Sequence, residues 1–239
     1  MRSLRPKVVY QDRDILVIDK PAGLLAVPIP GSRAPNAQEI LARSLGAERL
    51  SVLPVHRIDR YTSGLMVFAR SRLARSRLVK QFLAHEPLRL YLAVVRGRVH
   101  EQEGELRHFL KKVSWGFRQV VVPSEREGGA LAVTRYRVLE RFEGATLLEA
   151  QLVTGLKNQI RVQLAAAGMP IWGDRHYVPG EKHVQGMGRQ ALHASRLGFL
   201  HPRLGTYLEF KADPPEDFVA LLGSLRSSSA ALKNPKNRR

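Results

Sequence analysis

Short apolar runs separated by polar breaks rich in Gly and Pro fill most of this chain, a pattern that predicts strands more often than helices. Lys7-Val8-Val9-Tyr10 is followed by polar Gln11-Asp12-Arg13-Asp14, then by Ile15-Leu16-Val17-Ile18, then by Lys20-Pro21-Ala22-Gly23. That order reads as a strand, a tight connection, a second strand and a turn. Residues 28–36 form a polar loop, and residues 37–45 take up helical spacing until Gly46 ends it. Residues 65–69 are continuously apolar, as expected of a short strand. The period then changes: Ala74, Leu78 and Phe82 fall on one face of a helix and leave Arg72, Arg75 and Lys80 to the others.

Further on, residues 90–99 predict another strand, and residues 134–141 and 146–152 predict a hairpin around Glu143-Gly144-Ala145. Asn158 is expected to cap a helix over 159–167, with Gly168 at its C′ position and Pro170 just beyond, so that Ile160, Arg161 and Leu164 share a short helix. Residues 197–200 read as a late buried strand and 218–225 as a terminal helix. The class implied is α+β. With no internal repeat and no clean linker, residues 1–225 are expected to form one domain of two closely associated halves. Residues 226–239, basic and nearly without large apolar groups, are expected to form a disordered tail.

Charge narrows the class of partner. The chain holds 39 Lys and Arg against 21 Asp and Glu, a formal +18. Such an excess concentrates phosphate backbones and supplies the sequence-independent part of nucleic-acid affinity. No apolar run reaches the roughly 18 residues a membrane helix needs, no basic amphipathic helix carries an aromatic face, and the N-terminus lacks an apolar signal core. A cytoplasmic protein that avoids membranes is the default expectation. The absence of cysteine removes disulfide scaffolds, thiolate zinc sites and cysteine nucleophiles.

The densest group of chemically capable side chains is His56-Arg57-Ile58-Asp59-Arg60-Tyr61-Thr62-Ser63-Gly64, a loop leading into the strand at Leu65. Taken alone, a carboxylate such as Asp59 is most often a solvated loop residue or the start of an Asx turn. Flanking Arg57 and Arg60 change its chemistry, because nearby cations favour the ionised form, and an ionised, dry carboxylate can act as nucleophile or base. His56 and Ser63 supply letters of a hydrolase triad, but no Gly-x-Ser-x-Gly elbow is present and all three groups sit on one short loop. Neither a nucleoside-triphosphate loop nor a dinucleotide fingerprint occurs. Gly186-Met187-Gly188 is expected to be a flexible loop, and the eight histidines show no metal-binding spacing.

The loop His56-Arg57-Ile58-Asp59-x-x-Thr62-Ser63-Gly64-Leu65 resembles the signature of the RluA-type pseudouridine synthases. Four more blocks agree in order and spacing: residues 15–25, residues 89–97, residues 152–174 from Thr154-Gly155 through Gly173-Asp174, and residues 191–202. The resemblance implies an α+β fold with a mixed, largely antiparallel sheet, flanking helices and loops, and a central active-site cleft. It implies an RNA isomerase that needs no cofactor or metal, works as a monomer on a ribosomal or transfer RNA stem-loop, and does not act on DNA. Asp59 would be the nucleophile. Arg161 would pair with it, Tyr91 would stack on the uracil, Ile160 would pack beneath it, and Arg57 would fill the gap left by the extruded base, with His56 also at the substrate.

Departures from the family pattern fall at Leu156, Asn158 and Gln163, where many members have Arg, His and His; Arg89 stands where Lys is common and keeps a cation for a phosphate. The stretch before Val8 is too short for the extra N-terminal RNA-binding domain of some relatives, so target choice is expected to rest on the catalytic domain, its loops and the basic tail. The alternative is an inactive RNA-binding or ribosome-assembly protein of the same fold. Retention of Asp59, Tyr91 and Arg161 favours the enzyme.

Overall fold

The computed structural model describes residues 4–46, 51–113, 118–178 and 187–233. In chain order the first elements are β1 (Lys7–Gln11), β2 (Ile15–Lys20), α1 (Ala37–Ser44), β3 (Leu53–Pro54), β4 (Ser63–Ala69), α2 (Arg72–Leu83) and β5 (Leu88–Arg96). There follow β6 (Glu103–Lys112), β7 (Gln119–Val122), β8 (Ala130–Phe142), β9 (Ala145–Leu152), α3 (Gln159–Ala166), β10 (Leu192–Leu200), β11 (Tyr207–Lys211) and α4 (Glu216–Lys233). The segment expected as one domain falls into two compact units that interleave along the chain. One is Met1–Leu90 with His193–Asp213, the other Tyr91–Leu192 with Pro214–Arg239.

In the first unit β2 pairs antiparallel with β1 and β4, β3 pairs antiparallel with β4, and β11 with β10. The β4–β10 pair is parallel, which makes the sheet mixed. All seven residues of β4 are buried, as are Ile15 to Ile18 of β2, so both faces of these strands are covered and their apolar runs are continuous rather than alternating. Ile15, Val17, Leu65, Val67 and Ala69 pack with Leu197, Phe199 and the three α2 residues foreseen from spacing, Ala74, Leu78 and Phe82. Each large side chain placed there contributes about 1.5–3 kcal/mol over leaving it exposed. Ser71 Oγ caps α2 by accepting the Ala74 N–H at 3.1 Å, and Asn36 Oδ1 caps α1 by accepting that of Glu39 at 3.0 Å.

The second unit orders its strands β5-β9-β8-β6-β7. The pairs β8–β9, β6–β8 and β6–β7 are antiparallel. The β8–β9 hairpin turns at Glu143-Gly144 with Gly144 at φ +70°, as its sequence predicts. Helix α3 packs on β6, β7 and β8, its Val162 meeting Leu110 and Ala132. The class is therefore α+β with largely antiparallel pairing.

Several expectations need correction. The fifth strand stops at Arg96 instead of running to 99, because Gly97 takes φ +78°. Helix α4 continues to Lys233: Arg226 pairs with Glu140 at 2.7 Å, and the hydroxyls of Ser227, Ser228 and Ser229 bond to carbonyls one turn back, so residues 226–233 are helical rather than disordered. Residues 234–239 of the expected tail lie outside the described residues, as does Gly186. Asn158 stands at the N-cap of α3 as expected, its carbonyl accepting the Val162 N–H at 3.0 Å, but its side chain makes no capping bond: the residue adopts φ +54°, ψ +16°, and the side chain turns to Arg161.

Candidate active site

The loop bearing Asp59 belongs wholly to the first unit and is held through its backbone. The Thr62 N–H donates to the Asp59 carbonyl at 3.2 Å, closing a turn whose tip is Arg60-Tyr61. The Arg60 carbonyl accepts from the Gly23 N–H at 2.8 Å and from Lys20 Nζ at 3.0 Å, while Arg60 Nε donates to the Gly23 carbonyl at 2.9 Å. Lys20 is fully buried and also donates to the Pro21 and Leu24 carbonyls, both at 2.9 Å. A buried ammonium demands such acceptors, so Lys20 fastens the Pro21–Leu24 turn to the Asp59 turn. Sequence reasoning quoted Lys20 within a block but gave it no role. Asp59 itself is half-buried and Arg57 is exposed.

The far end of the turn is fixed by close packing of strands. Gly64 has φ +111°, and a Cβ there would lie 2.2 Å from the Ala194 carbonyl oxygen, so only glycine allows this approach of β4 to β10. Beside it Ser63 Oγ meets His193 Nδ1 at 3.0 Å, and His193 Nε2 lies 3.0 Å from the Ala212 carbonyl. With Nε2–H donating to that carbonyl, Nδ1 is left to accept from the serine. Ser63 and His193 are both buried, which suits a strand fastening and not a hydrolytic nucleophile.

His56 has a comparable job. The Val67 N–H donates to its Nε2 at 3.2 Å, and its ring stacks on Phe82 with centroids 4.5 Å apart. Burial of the ring, and secondarily the Arg89 charge, push the imidazole down to about 3. It is neutral at physiological pH, as an Nε2 acceptor must be. Arg89 is buried too, with its guanidinium 5.7 Å from the Phe82 centroid.

The remaining expected site residues lie in the second unit. Tyr91 is buried on β5, and Ile160 and Arg161 are buried on α3. Arg161 makes a two-pronged pair with Asp174: Nε to Oδ2 at 2.7 Å and Nη2 to Oδ1 at 2.8 Å, with side chains only 6% and 1% exposed. Asp174 Oδ1 also accepts from the His176 N–H at 3.0 Å. Arg161 Nη1 donates to Asn158 Oδ1 at 3.3 Å, and its Cζ lies 5.4 Å from the Tyr177 ring centroid. Asp174 closed one of the resemblance blocks, yet nothing in its spacing from Arg161 announced the pair.

Two departures from the family pattern now have places. Gln163 is fully buried: its Oε1 accepts from Thr134 Oγ1 at 2.7 Å, and its Nε2 donates to the Leu106 and Ala132 carbonyls at 3.0 and 3.1 Å. Gln159 adds bonds to the Val133 carbonyl and Thr134 Oγ1, both at 3.0 Å. These amides lock α3 to β8 and β6. Leu156 packs against the Leu110–Ala132–Val162 cluster.

Among the described residues Asp12, Asp14 and His201 bring ligand-type atoms within 4.8 Å of one another. Asp12 Oδ1 accepts the Asp14 and Ile15 N–H groups, and its Oδ2 accepts Tyr10 O–H at 3.0 Å and lies 2.9 Å from His201 Nε2. His201 Nδ1 accepts the Arg203 and Leu204 N–H groups, so its proton sits on Nε2, facing Asp12. The group is a fastening for the β1–β2 turn. No described helix is long and apolar enough to cross a membrane.

Comparison with known proteins is consistent across the chain. A family model described as RNA pseudouridylate synthase matches residues 14–166. "Uncharacterized RNA pseudouridine synthase YlyB" of Bacillus subtilis is 38% identical, over 92% of this chain and 73% of that protein. "Ribosomal large subunit pseudouridine synthase D" of Xanthomonas campestris is also 38% identical, over 93% of this chain and 70% of its own length. Among solved structures, "Human RNA Pseudouridylate Synthase Domain Containing 4" superimposes with a TM-score of 0.74 at 25% identity, covering 92% of this chain and 93% of that one.

Proposed function

The chain belongs to the RNA pseudouridylate synthase family, an isomerase family acting on RNA, and from that premise we propose that Asp59 is the nucleophile with which it converts particular uridines of a structured RNA to pseudouridine. The reaction breaks the bond from uracil N1 to ribose C1′, turns the freed base and forms a bond from C5 to C1′. The C5 proton leaves and N1 gains one, so nothing is oxidised and no group is imported. Asp59 attacks at the ribose C1′ side or assists glycal formation, and is the nucleophile by either route. The observation that carries this reading is the clamped turn: a half-buried carboxylate whose backbone is held by the bonds around Lys20, Gly23 and Arg60.

The supporting roles follow the family assignment. In that assignment Arg161 is the partner residue of Asp59, and Asp174 orients its guanidinium. Tyr91 stacks on the uracil and takes part in removing its C5 proton, and Ile160 packs beneath the ring. Arg57, exposed and on the same loop as Asp59, occupies the space the base vacates. His56 acts from behind the loop, where its bond to Val67 and stack on Phe82 keep Arg57 and Asp59 in register. The substrate is ribosomal or transfer RNA in the cytoplasm, taken by a monomer. The name of the Xanthomonas relative makes large-subunit ribosomal RNA the first to test.

The test is to incubate the protein with unmodified large-subunit ribosomal RNA and with transfer RNA, then map pseudouridine at single-nucleotide resolution. One or a few discrete sites are expected. No new site in either pool would overturn the reading and leave an RNA-binding protein of the same fold.

A further inference from the structure

Tyr61 is unusual in its neighbourhood. Thr62 and Ser63 beside it are each 2% exposed, whereas the Tyr61 ring is 46% exposed at the tip of the turn. An isolated exposed aromatic needs no explanation. This one is held in place. The Arg60 carbonyl, one peptide unit away, accepts two hydrogen bonds, and the turn is closed by the Thr62 N–H to the Asp59 carbonyl. The Arg60 side chain is tied by Nε to the Gly23 carbonyl at 2.9 Å, and its Cζ lies 5.3 Å from the Tyr61 ring centroid. A flat aromatic face and a flat cation are thus presented together on a backbone that cannot easily give way.

We propose that the Arg60–Tyr61 tip is a binding subsite for an unpaired nucleobase, that of a nucleotide adjoining the uridine taken by Asp59, with the Tyr61 ring as the stacking platform. The proposal rests on Asp59 being the nucleophile, since that fixes where the RNA strand must pass. Two residues separate the α-carbons of Asp59 and Tyr61 by at most about 7.6 Å, so a base next in the strand is within reach. Extruding a base removes a stacking partner from its neighbours, and every base has a π-face an aromatic ring can accept. A platform already fixed loses little freedom on binding. Arg60 adds a cation beside the stacked pair, where it attracts the π-face and the flanking phosphate.

The probe is a short oligouridylate carrying one central 2-aminopurine, whose fluorescence is quenched by stacking. Wild type and Tyr61→Phe are expected to quench it alike. Tyr61→Ala and Tyr61→Leu, checked for unchanged melting temperature, are expected to lose the quench and to bind about 5- to 150-fold more weakly, the span of base–aromatic stacking. On the RNA found by mapping, the same two variants should raise KM with kcat retained. Unchanged quenching and affinity in Tyr61→Ala would overturn the proposal, and so would equal loss in Tyr61→Phe, which would point to the hydroxyl. Asp59→Ala separates the two readings: pseudouridine formation surviving that change sinks the nucleophile assignment, whereas the fluorescence result bears on the stacking subsite alone.

Discussion

Around Asp59 the restraining bonds end on backbone atoms: the carbonyls of Pro21, Leu24 and Arg60 gather on Lys20, and Gly23 exchanges two bonds with Arg60. Around Arg161 side chains also bond to one another, Asp174 and Asn158 on the guanidinium and Gln159, Thr134 and Gln163 beneath it, while the two amides reach the Val133, Leu106 and Ala132 carbonyls as well. The difference predicts where change is tolerated. A turn held largely through its backbone carbonyls leaves the exposed side chains of Arg57 and Tyr61 open to selection by the RNA. A helix held by side chains depends on their identity, and single truncations there strand buried polar groups.

The largest effect is expected where the backbone-held region has no slack. Gly64→Ala drives a Cβ into the Ala194 carbonyl from a left-handed backbone position and should destabilise by roughly 4 kcal/mol or more, read as the shift in a urea unfolding midpoint. A loss below about 1 kcal/mol would show that β4 and β10 part easily. In the side-chain-held region, Asp174→Ala leaves the Arg161 charge buried without its counter-ion and should cost about 3–5 kcal/mol. Asp174→Asn, which keeps hydrogen-bond acceptance on one side, should cost less. Equal, sub-kilocalorie losses in both would reduce the pair to the rank of an exposed one such as Arg137–Glu149.

A smaller effect concerns acid. The His56 imidazole is held neutral in the folded protein, down to about 3, against an ordinary value of 6.5. The unfolded chain therefore binds the extra proton first. His56 contributes stability that is fully present above about pH 6.5 and is lost progressively as pH falls toward 3. Melting temperature against pH should fall across that window more steeply in wild type than in His56→Leu. Parallel curves would mean that His56 is solvated and titrates normally.

These contrasts also explain what the sequence made legible. Helix α2 could be read because Ala74, Leu78 and Phe82 answer to one buried face, and β2 and β4 because both of their faces are covered. The β6 and β7 strands could not: half of Glu103–Lys112 is charged, and Glu105 there bonds both to Arg107 on its own strand and to Arg135 across on β8. The last turns of α4 begin at Arg226, whose partner Glu140 is distant in sequence. The Asp59 loop stood out because it concentrates chemistry in consecutive residues and carries the family signature. Lys20, Asp174 and Gln163 did not, since each acts on partners that only folding brings near. Asn158 was read correctly as the N-cap position, but its left-handed backbone turns the side-chain oxygen to Arg161 instead of to the helix N–H groups.

The most direct measurement compares wild type with Asp59→Ala in single-turnover reactions on the mapped RNA, with binding followed in parallel by filter retention. Loss of pseudouridine formation with RNA affinity within about threefold of wild type is expected, since one carboxylate adds nothing to counterion release. Pseudouridine appearing at a rate near wild type would contradict Asp59 as the nucleophile.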